Sequence, residues 1–282
     1  MTRNSSRPRI RAKGLVYAVV GVFLAVQVYP VLWVITSSLK TPEELAANPP
    51  YAMPGGIYLG NYVSAFEQAD LGRYLFNSTF VAAITIGLTV LAGAPAAFAI
   101  QKLRFRGSRA LLGYFLMGLM IPVFVALLPM FQIFNEMGMR NTYWALILPQ
   151  VGFNLPMCIY LYVGFMKYIP DSLLEAAMLD GAGAFRTFVQ VVFPLSLNTT
   201  ITIITFNFIF VWNEFVFANT FLNDPQMKTL PVGLNDYVGL FGKTDFGATY
   251  AAIVVAIVPT LLLYFFLNKR VIEGMAAGAV RG

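Results

Sequence analysis

The sequence predicts an all-α integral membrane protein with six transmembrane helices and both termini in the cytoplasm. Of the 282 residues, 58% are hydrophobic and 11% are charged, whereas an average soluble domain is about 25% charged. Six uncharged runs reach the roughly 20 residues that a helix needs to cross a bilayer. They are residues 14–39, 74–100, 110–135, 141–166, 187–213 and 246–268. A single span must satisfy its own backbone hydrogen bonds, which favours helices over strands.

The Lys and Arg residues orient these helices, because cytoplasmic loops carry the excess of basic residues. Fourteen basic residues fall in the segments that share a side with the amino terminus, and five fall in the alternate segments. The first set comprises Arg3, Arg7, Arg9, Arg11, Lys13, Lys102, Arg104, Arg106, Arg109, Lys167, Arg186, Lys269, Arg270 and Arg281. The second set comprises Lys40, Arg73, Arg140, Lys228 and Lys243. This asymmetry predicts cytoplasmic termini, and it explains the basic charge without a nucleic-acid partner.

The spans and loops define the predicted organisation of the chain. The first apolar run is too long for the core of a signal peptide and lacks its cleavage pattern, so we expect an uncleaved span. The predicted segments are a basic cytoplasmic tail at 1–13, a first transmembrane helix at 14–39, an external loop at 40–73, a core of five helices at 74–268 and a cytoplasmic tail at 269–282. Within the core lie a cytoplasmic segment at 167–194 and an external loop at 220–245. Pro122 and Pro129 are predicted to bend the third span, and Pro149 and Pro156 the fourth.

The side chains supply little catalytic chemistry. The chain has no His and one Cys, Cys158, inside an apolar run. This composition excludes metal sites of the His/Cys type, Cys–His nucleophile pairs and disulfides within one chain. The stretch Tyr237–Thr244 ends like a phosphate-binding loop, but Tyr237 stands where the motif requires its first glycine. We therefore expect this chain to bind no metal, no ATP and no other cofactor itself.

An acidic, glycine-containing segment, EAAMLDGAGAFRTFVQVVFP, separates the fourth and fifth spans. Ser172 and Glu175 have the spacing of a capping box, which predicts a helix over residues 173–180. Gly181 is predicted to end that helix in the left-handed conformation. Isolated helices this short are marginal in water. We therefore expect support from the membrane helices on one side and from another protein on the other.

A second short helix is predicted over residues 186–192, ended by Pro194. The two helices together form a compact helical turn whose tip carries acidic and small residues.

This segment contains the first of several short motifs that follow one another in a fixed order along the second half of the chain. They are Glu175-Ala176-Ala177, Asp180-Gly181-Ala182, Phe193-Pro194-Leu195, Trp212-Asn213-Glu214-Phe215, Thr229-Leu230-Pro231-Val232-Gly233-Leu234 and the carboxy-terminal EGMAAGAVRG. In this order the motifs resemble those of ABC importer permeases with an EAA loop, in particular the smaller, MalG-like permease of carbohydrate importers. The resemblance covers nearly the whole chain from Gly14.

The resemblance implies the type I ABC importer permease fold and a place in the bacterial or archaeal cytoplasmic membrane. The implied partners are a second, larger permease in a heterodimer, a dimer of ATP-binding subunits that hold ATP and Mg²⁺, an external solute-binding protein and a carbohydrate. In this family the EAA loop is a coupling helix that sits in a cleft of the ATPase, and residues 220–245 correspond to an external scoop loop. The implied coupling residues are Glu175, Ala176, Ala177, Asp180, Gly181 and Arg186.

Polar side chains of the fifth span are candidates for a substrate path. At 100° per residue one stripe contains Asn198, Thr202, Thr205, Trp212 and Asn213, and the opposite face contains Thr200, Asn207 and Glu214. Polar residues on both faces predict a central helix. Asn, Thr and Trp suit a sugar, which needs hydrogen-bonding groups and an aromatic surface, but Thr and Asn also serve hydrogen bonds between helices. Glu214, directly after the uncharged run 187–213 and treated as the one charge in a span, is a possible functional charge. Its place close to the external end also fits a loop anchor or a contact with the partner permease.

The identity of the transported solute stays open at the level of sequence. A mono- or oligosaccharide, a polyol and glycerol phosphate all fit the resemblance. A secondary transporter that acts alone is the alternative from a different class, and it would need ion-coordinating groups deep in several spans, where Glu214 is the one charge available.

Overall fold

The computed structural model describes residues 7–237 and 244–279, which form helices joined by turns and contain no β-strand. The α-helices are α1 (Arg7–Ser38), α2 (Pro42–Ala47), α3 (Gly60–Gln68), α4 (Leu71–Phe98), α5 (Ser108–Gly118), α6 (Val123–Glu136), α7 (Trp144–Met166), α8 (Asp171–Leu179), α9 (Ala184–Thr187), α10 (Phe193–Leu195), α11 (Leu197–Trp212), α12 (Val216–Phe221), α13 (Leu230–Gly233) and α14 (Phe246–Ala279). Short π-helical turns occupy Ala99–Leu103 and Phe188–Val192, and 3₁₀ turns occupy Pro225–Met227 and Leu234–Tyr237.

Four helices of the described chain are long and apolar enough to cross a membrane, and the number rises to six if each of two bent helix pairs is one span. The four are Val16–Ser38, Leu71–Leu103, Trp144–Met166 and Phe246–Leu267. The bent pairs are Ser108–Gly118 with Val123–Glu136, at 93°, and Ala184–Leu195 with Leu197–Trp212, at 75°. The third and fifth predicted spans are therefore broken helices.

The two breaks have different local causes. At the first break Pro122 precedes α6 with an extended backbone, φ −65° and ψ 132°, as expected for a residue that lacks an amide hydrogen. At the second break the prediction that Pro194 ends the helix is wrong. Pro194 lies in the first turn of α10, where a missing amide hydrogen is tolerated. The chain bends instead at Ser196, whose hydroxyl donates to the Val192 carbonyl over 2.7 Å.

The terminal helices extend beyond the predicted spans. Helix α1 begins at Arg7 and α14 continues to Ala279, so helical backbone enters both segments that the sequence assigned to cytoplasmic tails. Residues 1–6 and 280–282 of those tails, and residues 238–243 of the loop at 220–245, lie outside the described residues.

Residues of 1–69 and 236–255 form one compact unit of the chain. Its loop after α1 is ordered by a capping box at α2: the Glu44 amide donates to the Thr41 hydroxyl over 3.2 Å, and the Thr41 amide donates to the Glu44 carboxylate over 3.0 Å. The bonds from the backbone amides of Thr41 and Gly55 hold the pKa of the Glu44 carboxyl below its usual value. Asn61 on α3 donates to the carbonyls of Ser38 and Lys40, which joins α3 to the end of α1.

Residues of 70–235 and 256–282 form the other unit, in which α4 packs against α7 and α11. Helices α4 and α7 are parallel, because hydrogen bonds at two positions, one turn or more apart, connect residues that are separated by a similar number of positions in the sequence. The offset is 66 at Asn77–Tyr143 and 69 at Thr89–Cys158. The contact of α11 with both helices agrees with the central position that its polar faces predict.

Helices α4 and α7 approach each other closely at Gly93. A Cβ atom at this position would lie 2.5 Å from the Cys158 sulfur, a distance that real side chains do not adopt. Cys158 is buried, and its thiol donates to the Thr89 carbonyl over 3.5 Å. The absent side chain at Gly93 therefore sets the distance between the two helices, as small residues do between membrane helices.

We predict that Gly93→Ala destabilises the protein by about 1–3 kcal/mol, the usual cost of overpacking a tight interior. The thermal unfolding midpoint of purified protein in detergent measures this effect. Gly87→Ala is the control, because a Cβ at Gly87 on the same helix meets nothing within 4 Å. The double variant Gly93→Ala with Cys158→Ala should recover most of the loss, and an unchanged midpoint in Gly93→Ala would contradict the close approach.

Candidate functional site

The EAA segment, residues 167–194, contains α8 after a short turn at 167–170. The prediction that Gly181 ends this helix in the left-handed conformation is confirmed. This residue has φ +79°, in the left-handed region that glycine adopts without strain. Its amide donates to the Met178 carbonyl over 3.0 Å, and the Ala182 amide donates to the Ala177 carbonyl over 2.9 Å. This pair of bonds is the Schellman pattern, which satisfies carbonyl groups at the end of a helix.

The predicted capping box at the start of α8 is wrong. The helix begins at Asp171, its preceding residue is Pro170, and no side chain caps its first amides in the described structure. Ser172 and Glu175 consequently lie inside the helix, where their capping roles do not apply. The negative charge of Asp171, in the first turn, still stabilises the helix by its attraction to the positive end of the helix dipole.

The implied coupling residues lie mostly on the outside of the segment. Glu175, Ala176, Asp180, Gly181 and Arg186 are exposed, whereas Ala177 is half-buried. No described side chain pairs with Glu175 or Asp180, and Arg186 donates to Gln190 over 3.0 Å within its own helical turn. The structure therefore brings the predicted residues together on one exposed tip.

Apolar side chains at the same tip were missed by sequence reasoning. Leu179 is 89% exposed and Phe185 is 79% exposed, and Met178 is also exposed. Leu174, by contrast, is buried and points toward the membrane helices. The sequence did contain a signal for these residues. Leu174 and Leu179 are five positions apart and therefore lie on different faces of α8, so one can pack against the membrane helices while the other stays available for a second protein.

The base of the EAA segment is attached to the end of α4. Lys102 donates to the Ile169 carbonyl over 2.5 Å and to the Asp171 carboxylate over 2.6 Å. Arg104 donates to the other Asp171 oxygen over 3.1 Å. The hydrogen bond from Lys102 and its charge hold the pKa of the Asp171 carboxyl below its usual value, and Arg104 acts in the same direction. Sequence reasoning used Lys102 only for orientation and did not identify this contact.

The polar stripe predicted on α11 does not form one continuous surface. Thr202 and Thr205 are buried, and their hydroxyls donate to carbonyls one turn earlier in the same helix. Trp212 is also buried: its indole donates to the Ala256 carbonyl over 3.0 Å and its ring stacks on Phe208. Asn198 and Asn213 are exposed.

Two cavities lie beside α7 and α11 in the described residues. One, of about 340 Å³, is lined by Phe153, Asn154 and Asn207 among others. The other, of about 590 Å³, includes Thr202 and Tyr160. Of the predicted stripe, the structure places Thr202 in a cavity lining, whereas Asn207 in the other lining comes from the opposite polar face of the fifth span.

Glu214 lies two residues beyond the end of α11. Its carboxylate accepts the amides of Phe217 over 2.6 Å and Ala218 over 3.1 Å. These bonds satisfy backbone donors at the first turn of α12. The structure thus gives this charge a local capping partner.

A second anchored region follows α12, at the opposite end of α4 from the EAA segment. The Asn77 amide donates to the carbonyls of Gln226 and Lys228 over 2.9 and 2.8 Å, and its oxygen accepts the Tyr143 hydroxyl over 2.7 Å. Ser78 accepts the Leu230 amide over 2.8 Å. The chain at residues 226–230 is therefore fastened to α4.

The described residues contain no group of three His, Cys, Asp or Glu side chains that could hold a metal ion.

The fold and the exposed EAA segment define a multi-pass membrane protein of the transport class. Residues 89–276 match the model of the binding-protein-dependent transport system inner membrane component, and the chain belongs to this family. It is a permease subunit and not an enzyme, and ATP hydrolysis in such systems belongs to a separate subunit.

Relatives match along nearly their full length. The chain is 32% identical to the diacetylchitobiose uptake system permease protein NgcG of Streptomyces coelicolor, over 96% of this chain and 90% of the relative. It is 31% identical to the trehalose/maltose transport system permease protein MalG of Thermococcus litoralis, over 90% and 91%. Among solved structures, a bacterial ABC transporter that imports the acidic polysaccharide alginate matches with a TM-score of 0.83 at 21% identity, over 95% of this chain and 99% of that chain.

We predict that Asn77→Leu loosens the chain at residues 226–230, because two carbonyls and the Tyr143 hydroxyl lose their partner at a cost of about 1–3 kcal/mol per buried group. Limited proteolysis of the protein in detergent, with the cut site identified by mass, measures the loosening. Tyr143→Phe removes only one of the three bonds and should remain close to wild type. Equal protease resistance in Asn77→Leu and wild type would contradict the anchoring role.

Proposed function

We propose that this chain is one of two transmembrane subunits of an ATP-driven importer, and that it forms half of the path for a carbohydrate. A larger permease completes the path, a dimer of ATP-binding subunits supplies energy, and an external binding protein delivers the solute. The observation that carries this proposal is the EAA segment, whose exposed tip has both charged and apolar residues while its base is fastened to α4.

The names of the relatives support a carbohydrate. They include permeases for diacetylchitobiose, for trehalose and maltose, and for melibiose, raffinose and stachyose. A polyol or glycerol phosphate remains the alternative solute, because the external binding protein and the larger permease share in selecting it.

The exposed tip suits a protein cleft on the ATPase. Leu179 and Phe185 supply apolar area, and Glu175 and Asp180 supply charges for basic groups around it. Apolar contact area surrounded by complementary charge is the arrangement that stabilises and orients protein complexes. Ala176, Ala177, Gly181 and Arg186 complete the proposed coupling surface.

The proposed orientation follows from the same contact. ATP is a cytoplasmic solute, so the EAA segment lies in the cytoplasm, both termini lie on that side, and the membrane is the bacterial or archaeal cytoplasmic membrane. The excess of basic residues on that side supports this orientation. ATP and Mg²⁺ bind to the ATPase and no cofactor binds to this chain. The loop at 220–245 then faces the external binding protein, with its described part held by Asn77.

The path for the solute is proposed along the cavities beside α7 and α11. Thr202 lines the larger one. Asn154 and Asn207 line the smaller one, and the Asn207 amide has no hydrogen-bond partner among the described residues, which leaves it for sugar hydroxyls. Asn198 and Asn213 are exposed and also fit a path between two permeases. Thr205, Trp212 and Glu214 would act on the path indirectly, since their polar groups already bind backbone atoms of this chain.

The complex reconstituted in liposomes with its genomic partner subunits tests the function. We expect ATP-dependent uptake of a sugar and stimulation of ATP hydrolysis by the loaded binding protein, and we expect no uptake by this chain alone. Polyols and glycerol phosphate, offered in the same assay, distinguish the alternative solutes. Uptake by the isolated chain driven by an ion gradient would instead favour a secondary transporter.

We predict that Gly181→Val uncouples the complex, because a β-branched residue at φ +79° costs about 1–2 kcal/mol and distorts the tip of the EAA segment. The variant should insert in the membrane normally, but it should bind the ATPase weakly or hydrolyse ATP without uptake. Co-purification with the ATPase and the ratio of uptake to hydrolysis measure these effects. The control is Gly183→Ala, where φ is −71° and a Cβ meets nothing within 4 Å. Normal assembly and coupling in Gly181→Val would count against the segment as the coupling element.

A further inference from the structure

The attachment of the EAA segment to α4 depends on an unusually enclosed lysine. The Lys102 side chain is 1% exposed, although the residue belongs to the basic stretch after α4. Its ammonium group reaches the turn between α7 and α8, where it binds the Ile169 carbonyl and the Asp171 carboxylate. One side chain therefore fixes both the turn and the first residue of α8.

The backbone around Lys102 is shaped for this contact. Residues 99–103 form a π-helical turn, and Arg104 follows in the left-handed conformation with φ +46°. A π turn and a left-handed residue that is not glycine are both uncommon. Together they end the helical backbone after α4 so that both Lys102 and Arg104, which lie in the same short segment, contact Asp171. Arg104 remains largely exposed and binds over 3.1 Å, so Lys102 is the enclosed partner of the two.

The other end of the EAA segment also contacts α4. The rings of Phe98 and Phe188 lie 5.4 Å apart, and both residues are buried. Phe188 begins the second π-helical turn, which leads into α10. The segment thus has a polar attachment at its beginning, on the π-helical turn after α4, and an aromatic attachment near its end, on the last residue of α4.

We propose that Lys102, through its bonds to Asp171 and the Ile169 carbonyl, is the positioning residue that transmits movement of the EAA segment to α4. This inference rests on the proposed coupling function of the segment. Besides Lys102, the turn at residues 167–170, the buried Leu174 side chain and the exposed Arg104 connect α8 to the membrane helices, but Lys102 is the enclosed group that binds both the turn and α8. With Lys102 in place, a displacement of α8 moves α4, and α4 packs against α7 and α11, the two helices that contribute to both cavity linings. Asp171 is the acceptor, and Arg104 strengthens the contact from the exposed side.

The test compares variants of this contact in the reconstituted complex. Lys102→Met keeps most of the aliphatic stem and removes the donors, and Asp171→Asn keeps the shape and removes the charge. Both variants should co-purify with the ATPase and hydrolyse ATP at the basal rate. Stimulation of hydrolysis by the loaded binding protein, and uptake per ATP, should fall by a factor on the order of ten, within the usual range of coupling between distant sites.

Three further variants make the comparison specific. The double variant should lose less coupling than the two single losses combined, since both changes disrupt the shared Lys102–Asp171 contact. Lys102→Arg keeps the charge and donors and should recover part of the coupling. Arg106→Met is the charge control, because Arg106 is exposed in the same basic stretch and has no described partner, and it should behave as wild type.

A distance measurement separates positioning from a general loss of stability. Spin labels at Ser172→Cys on α8, an exposed position outside the proposed coupling surface, and at Gly87→Cys on α4 should give one narrow distance distribution in the otherwise unchanged complex and a broadened one with Lys102→Met. A lysine that only aids folding would lower the yield in the membrane but leave the distribution of the folded protein narrow. If Lys102→Met fails to reach the membrane, Asp171→Asn carries both measurements, because Asp171 is half-exposed and outside the buried core.

Wild-type coupling and a narrow distribution in both single variants would overturn the inference. Its failure is distinct from failure of the proposed function, in which the wild-type complex itself would show no ATP-dependent uptake. In that case the spin-label distances still report whether Lys102 holds α8 against α4.

Discussion

The parallel contact between α4 and α7 is the constraint on which the rest of the second unit depends. The absent side chain at Gly93 lets α4 come close to the Cys158 sulfur on α7, 65 positions later in the sequence. Contacts toward both ends of the two helices join residues with nearly the same separation in sequence. One end consequently brings Asn77 to Tyr143, and the other brings Lys102 to the turn after α7, at an offset of 67. Two attachments, Asn77 on α4 and Lys102 on the π-helical turn after it, therefore depend on one packing register, and a shift of that register would disturb both.

The sequence predicted what depends on composition and on single backbone positions. The apolar runs located the membrane helices, Gly181 marked a left-handed helix end, and Pro122 marked a bend, because each rests on a local steric or solvation rule. The bend at Ser196 was missed because a serine hydroxyl that binds its own backbone has no distinctive sequence pattern.

The contact of Lys102 with Asp171 could not be predicted for a different reason. The two residues lie 69 positions apart, and only the register of α4 against α7 brings them together. The stripe on α11 shows the same limit: periodicity placed Thr202 and Trp212 on one face, but the neighbouring helix decides that the indole of Trp212 binds the Ala256 carbonyl. Helical periodicity predicts which face of a helix a side chain occupies, but it does not predict which neighbouring group that side chain contacts, and the contact decides its role.

The distribution of hydrogen bonds separates the rigid parts of this protein from the parts left for partners. Along α11 the hydroxyls of Thr200, Thr202 and Thr205 donate to carbonyls one turn earlier in the chain, and Tyr162 donates to Thr200 over 2.8 Å, so these groups offer little to a passing solute. The side-chain amide of Asn207, on the same helix, lines the smaller cavity and has no hydrogen-bond partner among the described residues. At the tip of the EAA segment Glu175 and Leu179 likewise have no described partner, while the base is bound through Lys102 and Phe188. Groups already satisfied within the chain hold the helices in place, and the unsatisfied groups lie where a solute and another subunit are expected to bind.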